Sequence, residues 1–388
     1  MSPNDIYKYS PFSNEFSVDD WNELISVKLR KYFSSDELFN SNKEFMRTEI
    51  LNYIQFSTKQ EYLDLFNWTF SLFKDCLEKD ENLSIAELVK LFPEISETDM
   101  RWMSNVLLQA DVSNSAERDK INYSFKMIDE ILEGFFKIRF KLLHKFACFK
   151  VNGMFPDNSN SKFGNLINNF PSELSLSAQL FLKDPIISIS TSQWRNIASH
   201  KSFIIEKDFI KLEYGHQKIK TATIDYNQFY KILNWVQNIY HVLRLCEVLI
   251  HFNYGSVIKE KLGGTSKIKI RFESYLVHII HNLQVVGFEF VSKLENDKTF
   301  ELNLRKKQND DVKNSVIHAS QCLDQLSCAI SDDEFIKEKY NRTKVNIVDE
   351  KSDILASASI DVEIALSKAE NKISLEEYIN NIDFKINN

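Results

Sequence analysis

Glycine and proline are scarce in this chain, 8 and 6 among 388 residues, and that scarcity excludes more architectures than any motif selects. Tight turns draw on Gly for positive φ and on Pro for a fixed φ, so a sandwich or barrel of many short strands needs far more of both. A disordered chain is poor in aromatics, whereas 30 Phe occur here. The expectation is a mostly helical protein with long elements, divided into two or three domains because the length exceeds one ordinary core.

Apolar spacing supports that expectation from Ser17 to about Asp111. Trp21, Leu24, Ile25 and Leu29 repeat at helical intervals, as do Tyr62, Leu65, Phe66 and Phe70. Ser17 and Ser84 are placed as N-caps. Leu88 to Pro93 followed by Ile95 to Thr98 admits a helix-turn-helix, but helix, turn and helix occur in most α-domains and the ordinary reading is preferred. These residues define a helical N-terminal domain, 1–117.

A polar patch from Ser113 to Asp119 precedes a long helix, Ile121 to about Lys150, interrupted only by Gly134. A loop follows from Asn152 to Ser161, then two shorter helical segments around Phe163–Phe170 and Leu174–Leu182. After His200 the period changes to two. Phe203-Ile204-Ile205 and Phe209 to Tyr214 flank a polar turn and predict a short hairpin, and Asp225 is placed at the start of a helix running to Ile250. Residues 118–258 form the central domain. Gly263-Gly264-Thr265-Ser266 reads as a linker into a C-terminal α+β domain, 259–388, with strands expected at 268–272, 299–304 and 344–348.

The net charge of -7 provides no global positive field, so any nucleic-acid contact must be local. The five cysteines, Cys76, Cys148, Cys246, Cys322 and Cys328, include no Cys-x-x-Cys pair and fit reduced thiols in a reducing compartment. The first residues lack the basic flank and apolar stretch of a signal peptide, and the most apolar segment, Tyr275 to Val291, carries too many polar groups to span a bilayer. A cytoplasmic protein without membrane contact is expected. His278 and His281, with His241 and His251, lack a Cys or carboxylate at metal-site spacing, and ordinary core or surface histidines are preferred. No Gly-rich phosphate loop, nucleophile elbow or His-Glu-x-x-His occurs, so no metal and no cofactor are expected.

Chemistry concentrates in Trp194-Arg195-Asn196-Ile197-Ala198-Ser199-His200. Asn196 and His200 are four apart and share a helix face, so the amide can orient the imidazole, and Arg195 reaches the same substrate if the helix loosens at its end. RNA suits such a set because the nucleophile is already in the substrate. A ribose 2′-hydroxyl attacks the adjacent phosphate once a base takes its proton and an acid protonates the leaving oxygen. Imidazole serves either role near neutral pH, and guanidinium holds the phosphate as charge builds.

The segment resembles the Arg-x4–6-His signature of HEPN domains in its Arg-Asn-x-x-x-His form. The long preceding helix, Phe163-Gly164-Asn165-Leu166-Ile167, the hairpin and the closing helix agree with it over residues 119–254, about a third of the chain. The resemblance implies a HEPN helical bundle in which Arg195 and His200 are catalytic and Asn196 positions them. It implies further a homodimer with a composite cleft and an endoribonuclease of host defence, abortive infection or toxin systems, answering to a phage-derived trigger or regulatory partner. HEPN toxins inactivated by a nucleotidyltransferase partner carry Tyr just after the His, whereas Lys201, Ser202 and Phe203 follow here. The competing reading is a non-catalytic HEPN-type module that dimerises or recruits a partner.

Weaker candidates surround this set. Lys137, Arg139 and Lys141 interleave with Phe135, Phe136 and Phe140 and, with Lys201, are candidates for RNA contact, although a buried apolar stripe with a charged face is the simpler account. Glu130 and Glu133 could face the cleft and bias the protonation of His200, a solvated pair being the alternative.

Overall fold

The computed structural model describes residues 18–108, 115–158, 160–215, 218–263, 272–306 and 311–387. Its described residues are mostly helical, with two sheets. They fall into two compact units, one within 24–99 and 115–263, the other within 18–23, 100–108 and 272–387. The division expected at residue 117 therefore falls within the first unit, and the one expected at 258 lies a few residues from its end.

The N-terminal helices share a core with the central ones because their apolar faces are each other's cover. Gln60–Lys79 packs against both Lys137–Asn152 and Tyr226–Asn253, and Met46–Ser57 packs against the latter. Phe73 and Phe146 meet edge to face at 4.8 Å, both fully buried. Each such ring adds on the order of 1.5–3 kcal/mol by leaving water. Charges cross the same seam. Arg139 pairs with Asp99 at 2.7 Å and Glu247 at 3.1 Å, while Arg244 pairs with Glu49 and with Asp99 at 3.0 Å.

Local chemistry moved several expected boundaries. Ser84 is not a cap: it lies inside the helix Glu81–Leu108, its hydroxyl donating to the Cys76 carbonyl, and Asp80 caps instead by accepting from the Leu83 amide at 3.0 Å. Pro93 sits within that continuous helix, so no turn of a helix-turn-helix exists there. The expected cap at Ser17, residues 268–271 of a proposed strand and residues 264–266 of the linker lie outside the described residues. The long helix through Gly134 is three pieces, Glu117–Asp129, a π-helical stretch Glu130–Phe136, and Lys137–Asn152. The helix from Asp225 is Tyr226–Asn253, opened by a capping box in which Asp225 and Gln228 exchange hydrogen bonds.

Following His200, the expected hairpin has a third strand. β1 (Phe203–Ile205), β2 (Phe209–Tyr214) and β3 (Lys220–Asp225) form an antiparallel sheet. Gly215 is required at its corner, since φ there is +105° and a Cβ would sit 2.4 Å from the Lys218 carbonyl oxygen.

The second unit is α+β. Its sheet runs β4 (Phe288–Asn296), β5 (Thr299–Lys306), β6 (Arg342–Val348), β7 (Ile354–Asp361) and β8 (Asp383–Ile386), antiparallel except for β5 with β6. That parallel pair needs a crossover, supplied by the helices Val312–Ser320 and Leu323–Asp332. Alternation divides the faces. Phe300, Leu302, Leu304, Val345 and Ile347 join Leu276, Ile280 and Leu326 of the helices in one core. Glu301, Asn303 and Asn346 lie on the other face and bond to one another. The apolar segment Tyr275 to Val291 is not one element: its helix ends at Val285, and Gly287 at φ +91° turns the chain into β4.

Candidate functional site

A buried carboxylate fixes the helix Thr191–His200 that carries the motif. Asp184, 1% exposed, accepts from the Ile186 and Ile187 amides at 2.8 and 2.7 Å with one oxygen, and with the other from the Ile189 amide at 2.7 Å and the Trp194 indole at 2.8 Å. Four donors on one carboxylate set both the entry turn and the rotation of the helix. Ser190 caps the first turn, and the Thr191 hydroxyl donates to the Phe181 carbonyl at 2.6 Å.

At the other end the chain stops in a left-handed residue. Lys201 has φ 54° and ψ 39°, and the Ser202 amide reaches back to the Ile197 carbonyl at 3.0 Å. Gly is usual in that role, and a side chain there costs about 1–2 kcal/mol. One connection holds this end, the Glu213 amide donating to the Ser202 carbonyl, and the Gly215 amide donates to the Gln193 side chain in the first turn of the helix.

The face so fixed meets the end of Glu117–Asp129 and the π-helical stretch. Arg195 lies 3.3 Å from Glu133, which also holds Lys137 at 2.5 Å. Asp129, four residues before Glu133, completes an acidic pair opposite the motif. Burial pushes its carboxyl above the ordinary value and repulsion from Glu133 adds to this, while Arg195, the Ser199 hydroxyl and His200 pull the other way. Asp129 therefore lies within electrostatic reach of both motif ends. Ser199 and His200 are exposed and Arg195 is half-buried. Asn196 is half-buried, and among the described residues its amide makes no hydrogen bond to the His200 ring.

Of the basic residues expected to meet RNA, Arg139 is not one. It is fully buried, held by Asp99 and Glu247 and lying over the Tyr240 ring at 5.7 Å, because its position faces the core between the two helix layers. Lys137 is engaged by Glu133, Lys141 is half-buried, and Lys201 is exposed beside His200. Glu133 faces the motif as an ion-pair partner of Arg195, whereas Glu130 is exposed and acts on Tyr123.

His241 is half-buried, and desolvation, with Arg244 adding to it, pushes its imidazole down to about 3. His251 pairs with Glu247 at 2.6 Å, His278 is exposed, and the side chain of His281 lies outside the described residues. Among the described residues no group of three or more His, Cys, Asp or Glu could hold a metal ion, and no helix is long and apolar enough to cross a membrane. All five cysteines are free thiols, and burial pushes Cys76 up to about 11 and Cys322 up to about 12, values that suppress thiolate reactivity.

Asp129 and Asp184 were the residues sequence reasoning missed. Asp129 had a signal, its four-residue spacing from Glu133 on one helix face; Asp184 had none beyond its place before a turn. No family model, curated protein or solved structure matches the chain.

Proposed function

We propose that the helical unit is a metal-independent endoribonuclease of the HEPN type, acting on RNA in anti-phage defence or as a toxin. The observation that carries this reading is the placement of Arg195 and His200 on one short helix, Arg195 3.3 Å from Glu133 and His200 exposed at the helix end.

In this reading His200 takes the proton from a ribose 2′-hydroxyl, whose oxygen attacks the adjacent phosphorus. The bond from phosphorus to the 5′-oxygen breaks, and that oxygen leaves with a proton, giving a 2′,3′-cyclic phosphate and a 5′-hydroxyl end. Arg195 stabilises the charge on the non-bridging oxygens, and Asn196 orients the substrate or ring. One imidazole cannot be base and acid on opposite sides of the same phosphorus at once. Pairing of two copies about a two-fold axis supplies the second, which is the chemical reason for a homodimeric, composite cleft. The location of this chemistry is cytoplasmic, where RNA is available.

Purified protein incubated with total RNA and chelator is expected to release fragments ending in 2′,3′-cyclic phosphate. His200→Ala and Arg195→Ala should each lower the rate by at least about 100-fold, the scale of a lost general base or charge stabiliser, with an unchanged circular dichroism spectrum. In cells, growth arrest on expression should vanish with His200→Ala. A His200→Ala protein that still cuts and still arrests growth sinks the proposal and leaves the non-catalytic module.

A further inference from the structure

We propose that β8 is a self-complementary edge through which two copies of this chain join their C-terminal sheets, paired antiparallel about Phe384. β8 binds β7 on one side only, and no described strand covers the other. Its direction is set by the bond from the Asn387 amide to the Leu355 carbonyl at 2.9 Å, residues that stand opposite each other in the β7 register. Hydrogen-bonded positions alternate along an antiparallel ladder, so Lys385 and Asp383 also turn their backbone groups toward β7. Phe384 and Ile386 turn theirs outward, and the strand is exposed there.

Exposed edges are usually blunted by charge, and Lys385 looks at first like such a guard. Its setting argues otherwise. Asp383 lies two residues earlier on the same face, 3.3 Å from the Lys385 ammonium. A symmetric antiparallel partner must match outward backbone groups with outward ones, which leaves few registers. Centring on Lys385 opposes Lys385 to itself, and centring on Asp383 opposes Asp383 to itself. Centring on Phe384 puts Asp383 opposite Lys385 of the second copy twice over, with Phe384 against Phe384 and Ile386 against Ile382. Opposite charges and an aromatic pair facing across strands favour this register; like charges penalise those centred on Asp383 and Lys385, and one centred on Ile386 opposes Lys385 to Asn387 and gains no charge pair.

The side chains on the other face fit the same partner. Phe384 is 39% and Ile386 50% exposed, beside the buried Ala358 and Ala356 of β7, so the apolar layer of the sheet reaches its edge uncovered. A second copy continues that layer. Ile382 already donates its amide to the Ile379 carbonyl, so the new ladder has on the order of four backbone hydrogen bonds, from Phe384 and Ile386 of each copy. So small an edge gives reversible association on its own and tighter association wherever another contact holds the same two copies.

Disulfide trapping in the full-length protein reads this register whatever contact the helical unit makes, so its result and that of the ribonuclease test are independent. In the Phe384-centred pair the two Phe384 Cα atoms stand about 5.5 Å apart, within disulfide reach, whereas the two Ile386 positions are offset by about 13 Å along the strands. Under mild oxidation Phe384→Cys is expected to form a covalent dimer at least tenfold faster than Ile386→Cys or the unmodified chain, whose own thiols set the background. Adding Lys385→Asp to Phe384→Cys should lower the yield at least fivefold, and adding Asp383→Lys as well should restore it. Absence of the Phe384→Cys dimer, equal trapping at Ile386, or failure of the charge swap to rescue each overturns the proposal.

Discussion

Two clusters in the helical unit use the same chemistry, arginine against paired carboxylates, toward opposite ends. Arg139 and Arg244 are buried with Glu49 and Glu247, and only Asp99 is half-buried among them, whereas every member of the set Arg195, Glu133 and Asp129 is partly exposed near a helix end. In the sealed cluster each charge is satisfied by a fixed partner, and removing one strands the others in a medium that cannot solvate them. In the open cluster Arg195 and Glu133 are partly exposed, and Glu133 has a second partner in Lys137. Arg195 meets one carboxylate at 3.3 Å where Arg139 meets two at 2.7 and 3.1 Å, so burial and pairing, and not residue type, separate a structural ion network from a candidate site.

The sharpest way to break this comparison is to remove one arginine from each. Arg139→Ala should cost about 3–5 kcal/mol in urea denaturation, because Asp99 and Glu247 lose a buried counter-ion. Arg195→Ala should cost less, about 1 kcal/mol, since Arg195 and Glu133 are partly exposed and Glu133 keeps Lys137 as a partner, while abolishing RNA cleavage. Equal losses from the two substitutions would show that the clusters do not differ as argued.

Sequence legibility follows the same line. Helix faces were readable because apolar period needs only the residue and its neighbours: Tyr226–Asn253, its Asp225 cap and the motif helix are where the spacing put them. Strands β5 and β6 were readable from β-branched and apolar alternation. β7 was not, because Ala356, Ser357, Ala358 and Ser359 are poor strand formers that pair only once β6 and β8 flank them. Arg139 was misread for a related reason. Its neighbours Phe135, Phe136 and Phe140 mark a buried stripe, yet the carboxylates that let an arginine enter it come from residues 99 and 247, far away in the sequence. The local motif was legible and its acid partner at Asp129 only partly so. Whether Arg195 paired or stood free depended on the π-helical stretch carrying Glu133, and a glycine in a helical run does not specify that geometry.

Titration sharpens the contrast with a moderate effect. In the sealed cluster Glu247 is held well below its ordinary value despite its burial, by His251 and Arg139, and His251 is raised in turn by Glu247. A lowered carboxyl contributes stability that is full above its unfolded value near 4.5 and is lost as pH falls toward the folded one. A raised imidazole contributes stability that is full below 6.5 and is lost as pH rises through its folded value. The pair is thus strongest between those limits. Urea midpoints measured from pH 3.5 to 8.5 should show a broad maximum there that Glu247→Gln flattens; an unchanged profile in the variant would remove the pair as its source.

The smallest effect should carry the opposite sign and come from the open cluster. Asp129 is raised, chiefly by burial and then by Glu133, so its ionised form is disfavoured in the fold at neutral pH and the penalty disappears as pH falls through the raised value. Asp129→Asn removes that penalty and should stabilise the protein at pH 7 by a few tenths of a kcal/mol, a figure already reduced for solvent screening at a partly exposed site. The gain over the unmodified chain should shrink on acidification, when both carry a neutral group at this position. A loss of stability at pH 7, or a gain that grows toward low pH, would mean that Arg195 and His200 compensate Asp129 more than burial penalises it. The open cluster would then be a closed ion network like the one around Arg139, with no guanidinium available to a phosphate.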